Sequence, residues 1–268
     1  MSTQSRVLEK YRQLALRATN GSMSELNAEC KPIAATLYCA DDVADLPEGA
    51  NGMSLGCGKP VLAAQLKAEE TVLDLGCGCG IDVLLSANRV GSTSRVYGLD
   101  IVEEMLTVAR DNQGRTDFQN IAFVNGDIEA IPLRSNSVDV IISNCAINLT
   151  SDKDAVFREA FRVLKPGGRL AVADVVVRGE IPLQVRANME LWVGCIAGAL
   201  GDMEYARRLA RAGFDAIDVE PTSIYRELRR DALSSAGAEM EAIRSGLEDR
   251  FMSAVISARK PIGMPSPH

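Results

Sequence analysis

The chain has 268 residues, 47% hydrophobic and 24% charged, enough for one large domain, or one domain with an appendage, around a substantial buried core. A net charge of −7, with the acids spread along the chain, excludes a basic face for nucleic acid. The opening MSTQSRVLEKYRQLALR lacks the apolar centre of a signal peptide, and no apolar run approaches the ~20 residues that span a bilayer, so the expectation is a cytoplasmic protein with neither nucleic acid nor membrane as partner.

Residues 4–19 alternate apolar and polar at helical spacing and read as an N-terminal helix. Residues 20–60 are irregular, rich in Gly, Asn, Asp and Pro, with room for a short helix near Ala40 to Leu46. A segment so long is expected to be functional or mobile. From there the pattern turns regular. "TVLDLG" (71–76) is a strand running into glycines, "IDVLLSANRV" (81–90) a helix, and "RVYGLD" (95–100) a strand ending in an acid. "EEMLTVARDNQ" (103–113) is a helix, followed by strands at "IAFVNGD" (121–127) and "VDVIISN" (138–144). "KDAVFREAFRVL" (153–164) is a helix stopped by Lys165-Pro166-Gly167-Gly168, and "RLAVADVVV" (169–177) is the next strand. A helical insert containing "MELWVGCIAGAL", a helix–strand pair over 203–220 and a last strand at 251–260 complete the pattern.

Strands alternating with helices predict an α/β fold with a doubly wound, mostly parallel, seven-stranded Rossmann-like sheet. The expected division is a cysteine-bearing N-terminal segment (1–60), a cofactor-binding core (61–180), and a substrate-covering insert with completion of the sheet (181–268).

Seven cysteines, an odd number in a chain this long, argue for reduced thiols used in packing or chemistry rather than a disulfide framework. The sole histidine is His268, so chemistry falls to thiols, carboxylates, amides, backbone or a cofactor.

In "VLDLGCGCGID", Gly76, Gly78 and Gly80 follow a strand and open a helix, where side chains would block a ligand lying over the strand end. The spacing is G-x-G-x-G, not the G-x-G-x-x-G of dinucleotide sites. Asp74 precedes the glycines, Asp100 ends the second strand and Asp127 ends the third. With "VLKPGGRL" before the fifth strand, the set resembles class I S-adenosylmethionine methyltransferases. That resemblance implies that Asp74, Gly76, Gly78 and Gly80 line the methionine end of S-adenosylmethionine and that Asp100 holds its ribose. Ile101, Met105, Asp127 and Ile128 would border the adenine, Cys77 and Cys79 would contribute backbone, and Asn144 would lie beside the cofactor.

Acceptor identity does not follow from such a fold. The thiol-bearing motifs are narrower. "SLGCGKP", "ISNCAINLTSDKDAVFREAFRVLKPGG", "ADVVVRGEIP" and "LWVGCIAGAL" resemble the arsenite methyltransferase family over residues 30–260 or so. The resemblance implies that Cys30, Cys57, Cys145 and Cys195 carry the chemistry. Cys57, Cys145 and Cys195 would be the ligands of arsenic(III), a thiophilic substrate whose lone pair attacks the methyl donor without a general base. Cys30 would relay reducing equivalents with Cys57, reset by a thiol reductant such as thioredoxin or glutathione. Arsenite or its thiol conjugates would be the substrate, and detoxification the purpose. Cys39 reads as structural. The alternatives are a methyltransferase for another small acceptor, such as a quinone or sterol-like carbon, and a non-catalytic metalloid-binding protein.

Overall fold

The structure, a computed structural model, describes residues 3–19, 56–179, 181, 196–224 and 250–263. The region expected to hold a short helix near residues 40–46, most of the insert after the fifth strand, Cys30, Cys39 and Cys195 lie outside the described residues.

The described elements are α1 (Thr3–Thr19), α2 (Pro60–Ala63), β1 (Val72–Leu75), α3 (Ile81–Val90), β2 (Val96–Asp100), α4 (Glu103–Gln113), β3 (Ile121–Asn125), β4 (Val138–Asn144), a 3-10 turn (Ile147–Leu149), α5 (Lys153–Val163), β5 (Leu164–Val177), β6 (Leu200–Gly201), α6 (Asp202–Arg211), β7 (Asp215–Ile224) and β8 (Phe251–Arg259). One sheet runs β3-β2-β1-β4-β5-β8-β7, with the two-residue β6 alongside β5. The first five strands of that path are parallel, and β8 pairs antiparallel with both β5 and β7. The expected seven-stranded, mostly parallel sheet is present, and β6 adds a short eighth strand.

Two apolar layers explain why the sheet is buried on both sides. Successive residues of a strand point to opposite faces, so Leu73 and Ile141 face one way and Val72, Val140 and Ile142 the other. The first face packs against Val156, Phe157, Ala160 and Val163 of α5 and Tyr205 and Leu209 of α6. The second packs against Val83, Leu84, Ala87 and Val90 of α3, Leu106 of α4 and Val61 of α2. Among the described residues, no helix is long and apolar enough to cross a membrane.

Two boundaries differ from the sequence reading. The Lys165–Gly168 breaker does end α5, but β5 already begins at Leu164: Val138 pairs with Leu164, and after a register shift Val140 pairs with Arg169. The strand absorbs the turn as a bulge, where Gly168 lies so close to its neighbour that an added Cβ would sit 2.9 Å from the Asp139 carbonyl oxygen. The third strand stops at Asn125, so Asp127 lies in the turn beyond it, with its Oδ1 accepting from the Glu129 amide at 2.9 Å.

Candidate active site

The strand order reverses between β1 and β4, and open α/β sheets bind ligands beyond the carboxyl ends of their strands at such a switch point. A cleft opens there. It is lined from β1 and its loop (Asp74, Gly76, Cys77, Gly78, Cys79), the start of α3 (Ile81, Asp82), the end of β2 and start of α4 (Asp100, Ile101, Val102, Met105), the turn after β3 (Asp127, Ile128), the end of β4 (Asn144, Cys145, Ala146) and α1 (Val7, Leu8, Tyr11).

The glycine loop has a physical cause. Gly76, Gly78 and Gly80 all take left-handed φ values of +70°, +51° and +84°, which side chains resist. A Cβ on Gly76 would overlap the Ala146 methyl, whereas a Cβ on Gly78 would meet no atom of the described residues within 4 Å. The loop therefore leaves open space over Gly78, on the cleft. The loop is tied down by amides of Gly76 and Cys77 donating to the Leu99 carbonyl at 2.8 and 3.0 Å. Asp100 holds the loop from the next strand, its Oδ2 accepting from the Gly78 amide at 2.8 Å and its Oδ1 from the Val102 amide at 2.9 Å.

The electrostatics of this end favour a cation. Asp74 is buried, and its Oδ1 has no hydrogen-bond partner among the described residues. Burial, followed by the nearby Asp82 and Asp100, pushes the Asp74 carboxyl well above the usual range. Burial also raises Asp100, against the three backbone amides that lower it. An unpaired buried carboxyl oxygen beside two further acids is costly in isolation and becomes favourable when a cationic group arrives. An amino-acid ammonium group meets that requirement, so the residues fit S-adenosylmethionine. Ile101 is 39% exposed, an apolar side chain left open on the cleft, and Met105 is both core of the α1–α4 packing and cleft lining. The Cys77 thiol is buried and pushed up by burial, then by Asp100 and Asp74, which keeps it protonated and unreactive. The Cys79 sulfur is buried 3.8 Å from Met105 Sδ.

At the other end, β4 delivers Cys145 in a left-handed conformation, φ +62°, which is uncommon for a residue with a side chain. Its amide donates to the Ala173 carbonyl at 2.8 Å, which fixes it against β5. Cys57 and Cys145, 88 residues apart, are joined as a disulfide, with Cα atoms 6.1 Å apart. Cys30, the expected relay partner of Cys57, lies outside the described residues.

Asn144 is what brings the Cys57 segment here. Its Oδ1 accepts from the amides of Cys57 (2.8 Å) and Gly58 (3.2 Å), while its Nδ2 donates to the Gly58 carbonyl (2.9 Å) and to Asp82 Oδ2 (3.0 Å). Gly56 abuts the same amide closely enough to leave no room for a Cβ. Ser253 Oγ on β8 donates to the Cys57 carbonyl at 3.0 Å. Asn144 thus links the thiol segment to Asp82 on the cofactor side of the cleft. Asn148 donates to the Val175 carbonyl at 2.8 Å, and so braces the turn after Cys145 against β5.

Sequence reasoning missed Asp82, Ser253, Asp174 and the contribution of α1. An acid inside the apolar run "RLAVADVVV" was the available signal for Asp174. Fully buried, Asp174 has a carboxylate oxygen within 4.8 Å of both the Cys57 and Cys145 sulfurs. Tyr205 Oη donates to it at 3.3 Å and the Val175 amide at 3.2 Å. Burial raises its pKa from 3.8 to about 7, against the charge of Lys153 and the hydrogen bonds that lower it. The folded chain therefore keeps a proton that the unfolded chain has released between about pH 4 and pH 7, and the stability from the neutral carboxyl is lost as pH rises through that window. Against an Asp174→Asn variant in the same redox state, wild type should lose on the order of 4 kcal/mol over that span. Urea-unfolding midpoints at pH 4.5 and 8 measure this, and parallel pH dependences would refute it.

Residues 66–213 match the family model described as a methyltransferase domain. The chain is 40% identical over 224 residues to the arsenite methyltransferase of Halobacterium salinarum, covering 84% of this chain and 55% of that one. It is 34% identical over 187 residues to the arsenite methyltransferase of Mus musculus, covering 66% and 49%. The crystal structure of an arsenic(III) S-adenosylmethionine methyltransferase from Chlamydomonas reinhardtii superposes with a TM-score of 0.64 at 30% identity, over 85% of this chain and 74% of that one. The chain belongs to the arsenite methyltransferase family. It spans about half the length of the curated members it matches. Within this family member, the methyltransferase-domain match covers the glycine loop, the cleft acids Asp74, Asp82, Asp100 and Asp127, and Cys145, while Cys57 lies just ahead of it.

Proposed function

We propose that this protein transfers a methyl group from S-adenosylmethionine to trivalent arsenic held by cysteine thiolates, as part of arsenic detoxification. The observation that carries the reading is the meeting of Cys57 and Cys145 beside a cleft whose acidic, glycine-lined end fits the cofactor. When bound, S-adenosylmethionine supplies an electrophilic methyl group on a sulfonium. Asp74 would hold its ammonium group and Asp100 its ribose hydroxyls, with Ile101, Met105, Asp127 and Ile128 around the adenine.

Cys57 and Cys145 would hold arsenic as thiolates, with Cys195 as the third ligand. Arsenic(III) on three sulfurs is pyramidal and keeps a lone pair, so no side chain has to remove a proton for attack. The single histidine, at position 268, accords with that chemistry. Opening the Cys57–Cys145 bond takes two electrons. Two thiols of a reductant such as thioredoxin or glutathione form their own disulfide and leave two cysteine thiols behind, through a mixed disulfide. After transfer, arsenic is formally pentavalent. Its return to the trivalent state takes two electrons from a thiol pair, and Cys30 with Cys57 would be that pair.

The test is to incubate the reduced chain with arsenite, methyl-labelled S-adenosylmethionine and a dithiol, and to separate the arsenic species. Labelled methylarsenicals are expected. Their absence from protein that binds the cofactor would sink the assignment.

A further inference from the structure

We propose that α1 is a wall of the cofactor cleft and that Tyr11 closes that wall over the adenosine part of the ligand; this rests on the cofactor reading above, but not on arsenic as the acceptor. Val7, Tyr11, Leu14 and Ala15 recur at helical spacing and form one face of α1. Leu14 and Ala15 are buried against Val102, Met105 and Val108, which docks the helix on α4. From outside the cleft, Arg12 Nε donates to Glu104 Oε1 at 2.6 Å, an ion pair that sets the helix in register with α4.

The preceding turn does something different. Val7, Leu8 and Tyr11 line the same cleft as Ile101 and Met105. Tyr11 is only half-buried where it lines the cleft. An aromatic ring with aliphatic neighbours in a cleft suits the flat, apolar face of a purine, and base–aromatic stacking is sequence-tolerant and strong enough to read in an affinity. An amphipathic helix at the start of a chain gives no hint in its sequence that one turn faces a ligand, because core-facing and cleft-facing residues share the same apolar spacing.

The experiment is calorimetric titration of the full chain with S-adenosylhomocysteine, paired with amide hydrogen exchange of Thr3–Thr19. Tyr11→Ala should weaken binding about tenfold, while Tyr11→Phe should stay within about threefold of wild type. Leu16→Ala, on the exposed side of the helix, should leave the affinity unchanged. Saturation with S-adenosylhomocysteine should slow exchange in α1. A Tyr11→Ala affinity within about twofold of wild type, or exchange in α1 that ignores the ligand, would overturn the inference while the cofactor reading stands. A wild-type chain that fails to bind S-adenosylhomocysteine would overturn both.

Discussion

A reduced Cys145→Ser chain is expected to lose arsenite binding and at least about 100-fold in methyl transfer. The loss follows from replacing a soft thiolate by a hydroxyl at a residue fixed against β5 by its amide hydrogen bond to the Ala173 carbonyl. Serine can take the same left-handed backbone and make the same amide bond to the Ala173 carbonyl, so the fold and the cofactor end should survive. Equilibrium dialysis with arsenite, run beside S-adenosylhomocysteine titration, separates the two ends of the cleft. Arsenite affinity should collapse while cofactor affinity stays within about twofold. Cys39→Ser is the comparison, and equal losses in the two variants would count against Cys145 as a ligand.

Asp100→Ala should weaken S-adenosylhomocysteine at least about 100-fold, because two charge-assisted hydrogen bonds and the loop they organise go together. Its carboxylate accepts from Gly78 and Val102, with the Ile101 amide as a third backbone donor, and this still leaves a lone pair for a ribose hydroxyl. Removing it leaves these backbone donors short of an acceptor at the floor of the cleft. Asp127→Ala should cost less, because Asp127 is only partly buried and its Oδ1 accepts from the Glu129 amide in its own turn. Calorimetric titration of both variants measures this, and an Asp100→Ala affinity equal to that of Asp127→Ala would show that the ribose is not held there.

What the sequence made legible follows the range of the physics involved. Strand and helix periods are local, so β4 at Val138–Asn144 and α4 at Glu103–Gln113 were readable to the residue. Glycines after β1 and an acid ending β2 are likewise local signs of a ligand. Long-range hydrogen bonds are not local. Nothing near Asn144 in the chain reveals that its amide receives Cys57 and Gly58 from 87 and 86 residues away, nor that Ser253 reaches the Cys57 carbonyl across 196. The bulge at the start of β5 was hidden for a related reason. Pro166 and two glycines read as a break, and only the pairing of Val138 and Val140 with β5 shows that the strand continues through it.

The span between Cys57 and Cys145 contains β1, β2, β3, β4 and the helices α2, α3 and α4 between them. A covalent link between its ends therefore fastens shut most of the cofactor-binding half of the molecule. For a closed loop of this length, such a link restricts the unfolded chain by roughly 4–5 kcal/mol in the chain-entropy treatment. Reduction gives up that restraint in order to free the sulfurs. An arsenic atom bridging the same two sulfurs would reinstate it, so the substrate would serve as a replaceable staple of the fold it is processed by.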